Sequence, residues 1–467
     1  MTKADDNDYR VGNDGIWQRA WLAPLGIAIL GGVAAVLTAD ADRLGYAYLF
    51  GLFVTATFML GALFLVLVQF LTASYWGVSS RRIVEVVMSG APVVALLAIP
   101  FLAGVALGKI DIYDEWQSVS AQGAHGDDHG DFDSGSDNES DRAEHSALGL
   151  GASVAQAQGH GEDHDEDAVD HGGTAAHDQG HRHTPQETAL HHEILEKKSG
   201  YLNTTGWVAR GIAYFVIWCL IALAYFGWSR RQDVDRDPRH TVRMQSLAAP
   251  SLILFAGSLT FAAFDWLMSL EATWFSTIFG VVIFAGSAVS ILALTILIGL
   301  SLYKRGLVGD AINIEHFHDL SRLMFGFVCF WAYVQFSQWM LIWYAGIPEE
   351  ATWFMKRWDG GWKFVSYVLI FGHFVAPFVL LISRVQKRAL PWLQVMCFWV
   401  IFMHIVDIYW FILPQAGGFH VQLADMGALF FVGGLFFAYV FWQLGRVPLV
   451  PVGDPRLQRS LHLHQIY

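Results

Sequence analysis

Ionisable and amide side chains stand inside several long apolar stretches of this chain, where each needs a physical reason. The stretch ending FAAFDWLMSLEATWFSTIFG holds Asp265 about a turn from its end and Glu271 just beyond it. WAYVQFSQWMLIWYAGIPEE carries Gln335 and Gln338, three apart and so on one helix face, with Tyr344 following. His373 lies near the middle of the next stretch, and FMHIVDIYW puts His404 and Asp407 on a shared face. A charged side chain at the bilayer centre costs roughly 2.5–3.5 kcal/mol on insertion scales, so each of these implies a partner, water or a task. The chemistry they suggest is proton transfer: His404 and Asp407 could form a hydrogen-bonded pair, and a row of such groups can pass a proton along. The same groups in the outer halves of two helices could also meet the carbonyls of a quinone.

Each residue has a plainer reading. Gln335 and Gln338 could be interhelical glue, His373 a satisfied core histidine, and Asp265 a packing anchor for a serine or an indole. Trp266, Trp274, Trp339 and Trp343 read as an interfacial aromatic belt. A second polar group, Glu85 with Glu315, His316, His318, Asp319 and Arg322, reads either as solvated loop chemistry or as the place where protons enter or leave. The last five belong to EHFHDLSR.

The elements that must position these groups are membrane helices. Hydrophobic residues make up 54% of the chain and charged ones only 15%, against roughly 25% charged in soluble domains. Apolar blocks of about the 20 residues a spanning helix needs recur along the sequence. They predict an all-α integral membrane protein with about ten transmembrane helices, near 17–38, 46–71, 90–108, 206–228, 247–270, 278–302, 320–345, 363–383, 391–412 and 422–445. Residues 72–89, with Arg81, Arg82 and Glu85, suit an interfacial helix or a helical extension. The organisation expected is a 1–16 segment, spans over 17–108, a loop over 109–205, spans over 206–445 and a 446–467 tail. No cleavable signal is evident in the polar, acidic start.

Arginine and lysine gather in alternate connections, around Arg81, Arg230 to Arg243, Lys304, Arg384 to Arg388 and the C-terminal tail, which predicts cytoplasmic termini. The loop then lies outside. About half of the 42 acidic residues and eleven of the 19 histidines fall within 109–200, so the net charge of −13 is mostly a property of this segment. Its composition predicts disorder across 109–199, and its irregular spacing predicts weak cation buffering rather than a metal site. No basic face suits nucleic acid. Cys219, Cys329 and Cys397 stand alone in apolar blocks and read as structural thiols, with neither a CxxCH haem attachment nor iron–sulfur spacing.

Two stretches carry a family likeness. One is Asp265-Trp266-Leu267-Met268-Ser269-Leu270-Glu271, continuing through Trp274-Phe275-Ser276-Thr277-Ile278-Phe279-Gly280. The other is Trp331-Ala332-Tyr333 with Phe336-Ser337-Gln338 and Trp343-Tyr344-Ala345-Gly346-Ile347-Pro348-Glu349-Glu350. Together they resemble the NrfD/polysulfide-reductase-like membrane subunits, most of all the ActF-type quinone-binding subunit 2 of alternative complex III. The resemblance covers 17–445 apart from the 109–199 loop. It implies two four-helix bundles, spans two to five and six to nine, with flanking helices. It implies a bacterial cytoplasmic-membrane complex that oxidises menaquinol and delivers electrons to cytochrome c or an oxidase. It also implies partners: a homologous NrfD-like subunit, an iron–sulfur subunit and c-type cytochromes, which hold the redox centres. On that reading this chain carries no covalent cofactor, menaquinone or menaquinol is its implied ligand, and its own share is menaquinol interaction or proton translocation. The competing classes are a secondary transporter with a midplane polar site and a purely structural membrane subunit. A di-haem cytochrome would want two histidines on each of two helices, and spans eight and nine offer one apiece.

Overall fold

A computed structural model describes residues 9–12, 14–118, 185–309 and 311–462. Among these residues all regular structure is helical, and ten helices are long and apolar enough to cross a membrane. The ten spans, first to tenth, are Gly15–Thr38, Arg43–Leu71, Val78–Ala106, Thr204–Asp235, Arg239–Leu270, Phe279–Lys304, Ile314–Ala345, Trp362–Leu381, Leu390–Ala416 and Leu423–Leu444. An apolar bilayer leaves the backbone no partner but itself, so these blocks close their hydrogen bonds within each helix. The chain is an all-α, multi-pass membrane protein.

Several spans are longer than the apolar blocks alone suggest. The third begins at Val78, because a helix over Val78–Met88 runs on through Gly90 into Ala91–Ala106. Residues 78–88 thus extend the span, and Arg81, Arg82 and Glu85 are drawn inside the protein. The fourth and fifth spans likewise carry polar turns at their shared end, where long arginine stems can lie along apolar surface.

The spans sort into two rings of contact. The second to fifth close one four-helix bundle and the sixth to ninth close another. The bundles meet where the second span packs on the sixth and ninth and the sixth packs on the fifth. The first span lies against the tenth, which lies against the second, so both are flanking helices. Small residues permit the close approaches. A Cβ on Gly31 would lie 2.7 Å from the Gly427 carbonyl, and one on Gly427 would lie 2.7 Å from the Ala35 nitrogen. Where backbones meet this closely, packing replaces the hydrophobic drive that lipid cannot supply.

The disorder expected across 109–199 falls mostly on residues 119–184, outside those described. Its flanks are ordered. Pro185–Lys198 is a helix, Ile112, Tyr113, Trp116 and Leu195 are buried in the main core, and His191 Nε2 meets Glu115 Oε1 at 2.8 Å.

The four tryptophans expected in an interfacial belt divide by burial. Trp339 and Trp343 are exposed, but Trp266 and Trp274 are buried. Trp274 stacks on Trp353 at 4.4 Å and donates to the Glu350 carbonyl at 3.0 Å, so protein rather than headgroup satisfies it. Of the three free cysteines only Cys397 is fully buried; Cys219 and Cys329 are half-buried.

Candidate functional site

The second bundle holds a polar cluster at its centre. His404 and Asp407 stand three residues apart on the ninth span, both fully buried. They do not bond to each other, contrary to what their spacing suggested. His404 Nε2 meets the Thr57 hydroxyl of the second span at 2.8 Å, while Asp407 Oδ2 accepts the Trp331 indole N–H of the seventh span at 3.0 Å. Side chains three apart on one helix share a face, yet each finds its partner on a different helix, His404 on the second span and Asp407 on the seventh. The sixth span backs both. A Cβ on Gly286 would lie 3.0 Å from His404 Nδ1 and 3.8 Å from Asp407 Oδ2, so this glycine lets the imidazole pack onto bare backbone.

His373 joins the cluster from the eighth span. Its imidazole stacks on Trp331, ring centres 4.0 Å apart, and it is fully buried. Around it, Leu369–Val375 is a π-helical turn. Pro377 supplies the cause, because it lacks the N–H that would bond the carbonyl four residues back and its ring crowds that position. Such turns are frequent at functional sites. Gln338 lies two turns along the seventh span from Trp331 and is also buried.

The polar atoms left over define what the cluster can do. His373 Nδ1 and Nε2, His404 Nδ1, Asp407 Oδ1 and Gln338 Oε1 are buried without a hydrogen-bond partner. Leaving one such group unmade costs about 1–3 kcal/mol. Five in one bundle call for a role that uses them, such as exchanging protons or binding internal water.

Asp265 belongs elsewhere. It sits in the first bundle, on the fifth span, with both oxygens engaged. Arg210 of the fourth span donates from Nε and Nη2 at 2.9 Å each, and Tyr214 donates at 2.7 Å. The serine and indole contacts that were expected do occur, from Ser269 and Trp207, but to the Asp265 backbone carbonyl. Glu271 is also engaged, by Lys356 at 3.2 Å and Gln415 at 2.7 Å. Gln335 is half-buried, and Tyr344, in the last turn of the seventh span, is 84% exposed. The residues placed together in a proton path or a quinone site therefore fall into separate groups, and only His373, His404, Asp407 and Gln338 share a bundle interior.

The arginine-rich end is not solvated loop. Glu85 is fully buried between Arg81 at 2.8 Å and Arg82 at 3.2 Å, with Ser229 donating at 2.8 Å. Arg82 continues to Asp233, and Arg81 to Asp454 of the tail at 2.6 Å. Every carboxylate in this net faces an arginine, so it anchors the third and fourth spans and the tail. His316 is buried in the capping box of the seventh span with Asn313, its Nε2 3.3 Å from Ser460. His318 is buried with its Nδ1 3.9 Å from Asp319, which also lies 3.8 Å from Arg322, and Glu315 makes a two-point contact with Arg388.

Arg210, Thr57, Asp233 and Asp454 take part in these contacts without being marked out by the motifs above. Arg210 was recoverable, because an arginine inside WVARGIAYF raises the same question as Asp265 does. Thr57 was not, since a lone threonine in a membrane helix usually bonds its own backbone. Among the described residues no three histidine, cysteine, aspartate or glutamate side chains converge as a metal site.

No family model matches this chain, and no curated protein matches it either.

Proposed function

We propose that this chain is a membrane subunit of a respiratory quinol:cytochrome c (or oxidase) oxidoreductase, of the NrfD-like kind its sequence resembles, and that it moves protons through its second bundle. The carrying observation is the set of buried, unpartnered polar atoms on His373, His404, Asp407 and Gln338. The division into two four-helix bundles with flanking helices supports the same reading. The residues expected to meet menaquinone do not converge: Asp265 and Glu271 are engaged elsewhere, and Tyr344 is exposed. Quinol oxidation belongs to the partner subunits, and this subunit couples to it.

In this reading Asp407, held at one oxygen by the Trp331 indole, takes and gives up a proton at the other. His404 accepts and returns a proton at Nδ1, and His373 offers two further nitrogens across the bundle. Neighbouring groups that exchange one proton keep the local charge nearly constant, which lowers the cost of moving it through an apolar interior. The membrane is taken to be the bacterial cytoplasmic one, with both termini inside.

The test is the proton count per electron of the intact complex in sealed vesicles, compared between wild type and Asp407→Asn. An unchanged count, at unchanged turnover, ends the proposal.

A further inference from the structure

We infer that Thr57 fixes which nitrogen of His404 carries the hydrogen, so that His404 exchanges protons only through Nδ1. The inference deepens the proton-moving reading above and rests on it for its functional meaning, while its structural content stands alone.

The Thr57 hydroxyl lies between two hydrogen-bonding groups, the Val54 carbonyl and His404 Nε2. Its Oγ1 is 2.7 Å from the Val54 carbonyl, one turn back on the same helix, and 2.8 Å from His404 Nε2. A hydroxyl has one hydrogen to donate. A carbonyl cannot donate in return, so the hydrogen goes to Val54, and Oγ1 is left to accept from Nε2. Neutral His404 must then be protonated on Nε2 and bare on Nδ1. The other tautomer sets two lone pairs face to face at 2.7 or 2.8 Å. It also turns Nδ1 into a buried donor with no acceptor, and buried orphan N–H groups are rarer than orphan acceptors.

The surroundings agree. Nδ1 has no hydrogen-bond partner and packs on the bare backbone at Gly286 of the sixth span. The titratable groups near His404 are Asp407 on its own helix and His373 from the eighth span; the second span contributes Thr57 alone. The Val54 carbonyl cannot pass a proton onward, so the Thr57 side is closed. A proton that arrives on Nδ1 gives an imidazolium with both nitrogens protonated, and it leaves from Nδ1 again, restoring the starting tautomer. His404 thereby holds a proton on the side of Asp407 and does not conduct toward the second span. Thr57 is a positioning residue.

The test is ¹⁵N NMR of the full complex with this subunit's histidines labelled, the His404 signals being assigned by difference against His404→Gln. Wild type and Thr57→Ser are expected to show the Nε2–H, bare-Nδ1 pattern of shifts. Thr57→Val, which keeps the shape and removes the hydroxyl, is expected to lose it, either to a mixture or to the Nδ1–H form. A wild-type signal protonated on Nδ1, or a pattern unchanged in Thr57→Val, overturns the inference. If the tautomer behaves as expected while His404→Gln leaves the proton count unchanged, the proton-moving reading fails and the tautomer lock survives.

Discussion

Arg210 holds Asp265 from the neighbouring span through two hydrogen bonds of 2.9 Å, and Tyr214 adds a third of 2.7 Å to the same carboxylate. The Arg210 guanidinium also lies over the Tyr201 ring at 3.9 Å. A residue that first reads as part of a proton path is thus a clamp between the fourth and fifth spans.

Its removal should destabilise without touching proton movement. Removing one member of a buried pair typically costs about 3–5 kcal/mol, because the other is left buried and uncompensated. Arg210→Gln is expected to lose stability toward the lower end of this range, because Asp265 is fully buried but Arg210 is partly exposed. The double variant Arg210→Gln with Asp265→Asn is expected to lose less than the two single losses added together. Thermal unfolding of the purified complex gives the comparison, and strictly additive losses would show that the two residues act independently.

For Asp407→Asn and His404→Gln, assembly is expected to persist, since Asn keeps the shape of Asp and Gln keeps a polar donor and acceptor in place of the imidazole. Coupled turnover is expected to fall by about 10²-fold or more, the usual weight of a positioned acid–base group. Subunit content by gel and quinol-dependent cytochrome c reduction in sealed vesicles measure the two halves. A purely structural cluster gives the reverse: near-normal turnover with Asn and lost assembly with Ala.

Acid should reach the C-terminal tail late. Burial pushes the Asp454 carboxyl up, but Arg81 at 2.6 Å and Arg456 at 3.0 Å outweigh it and hold it well below the usual carboxylate range. A carboxyl depressed by folding contributes stability that is fully present above its unfolded value, about 3.9, and is lost as pH falls through the folded value. The tail is therefore expected to resist protease down to pH 4 and to loosen only in stronger acid. Asp454→Asn should expose it already at neutral pH. Digestion at graded pH, followed by mass of the released tail, reads both; a wild-type tail cut freely at pH 4 contradicts the assignment.

The arginine-rich end is expected to face the cytoplasm. Single cysteines at Val234 and Asp359, in a background with Cys219, Cys329 and Cys397 replaced by serine, sit exposed at opposite ends of the bundles. An impermeant maleimide added to intact cells should label Asp359→Cys and spare Val234→Cys. The opposite pattern inverts the orientation.

Much of this protein follows from local sequence. The ten spans, and which of them carry Asp265, Gln338, His373, His404 and Asp407, are set by runs of apolar side chains long enough to cross a bilayer, a property each segment has on its own. What tertiary structure decided is who meets whom. Arg210 and Asp265 are 55 positions apart, Trp331 and Asp407 are 76, and Thr57 and His404 are 347. No helical period links such residues. Which rows of side chains face one another depends on how each helix turns and slides against its neighbours, and small residues such as Gly31, Gly286 and Gly427 fix that by allowing close approach. For the same reason His404 and Asp407, neighbours on one face, each bond outward to another span. Glu85 reads as surface in the sequence, yet it is buried once the spans and the tail close over it.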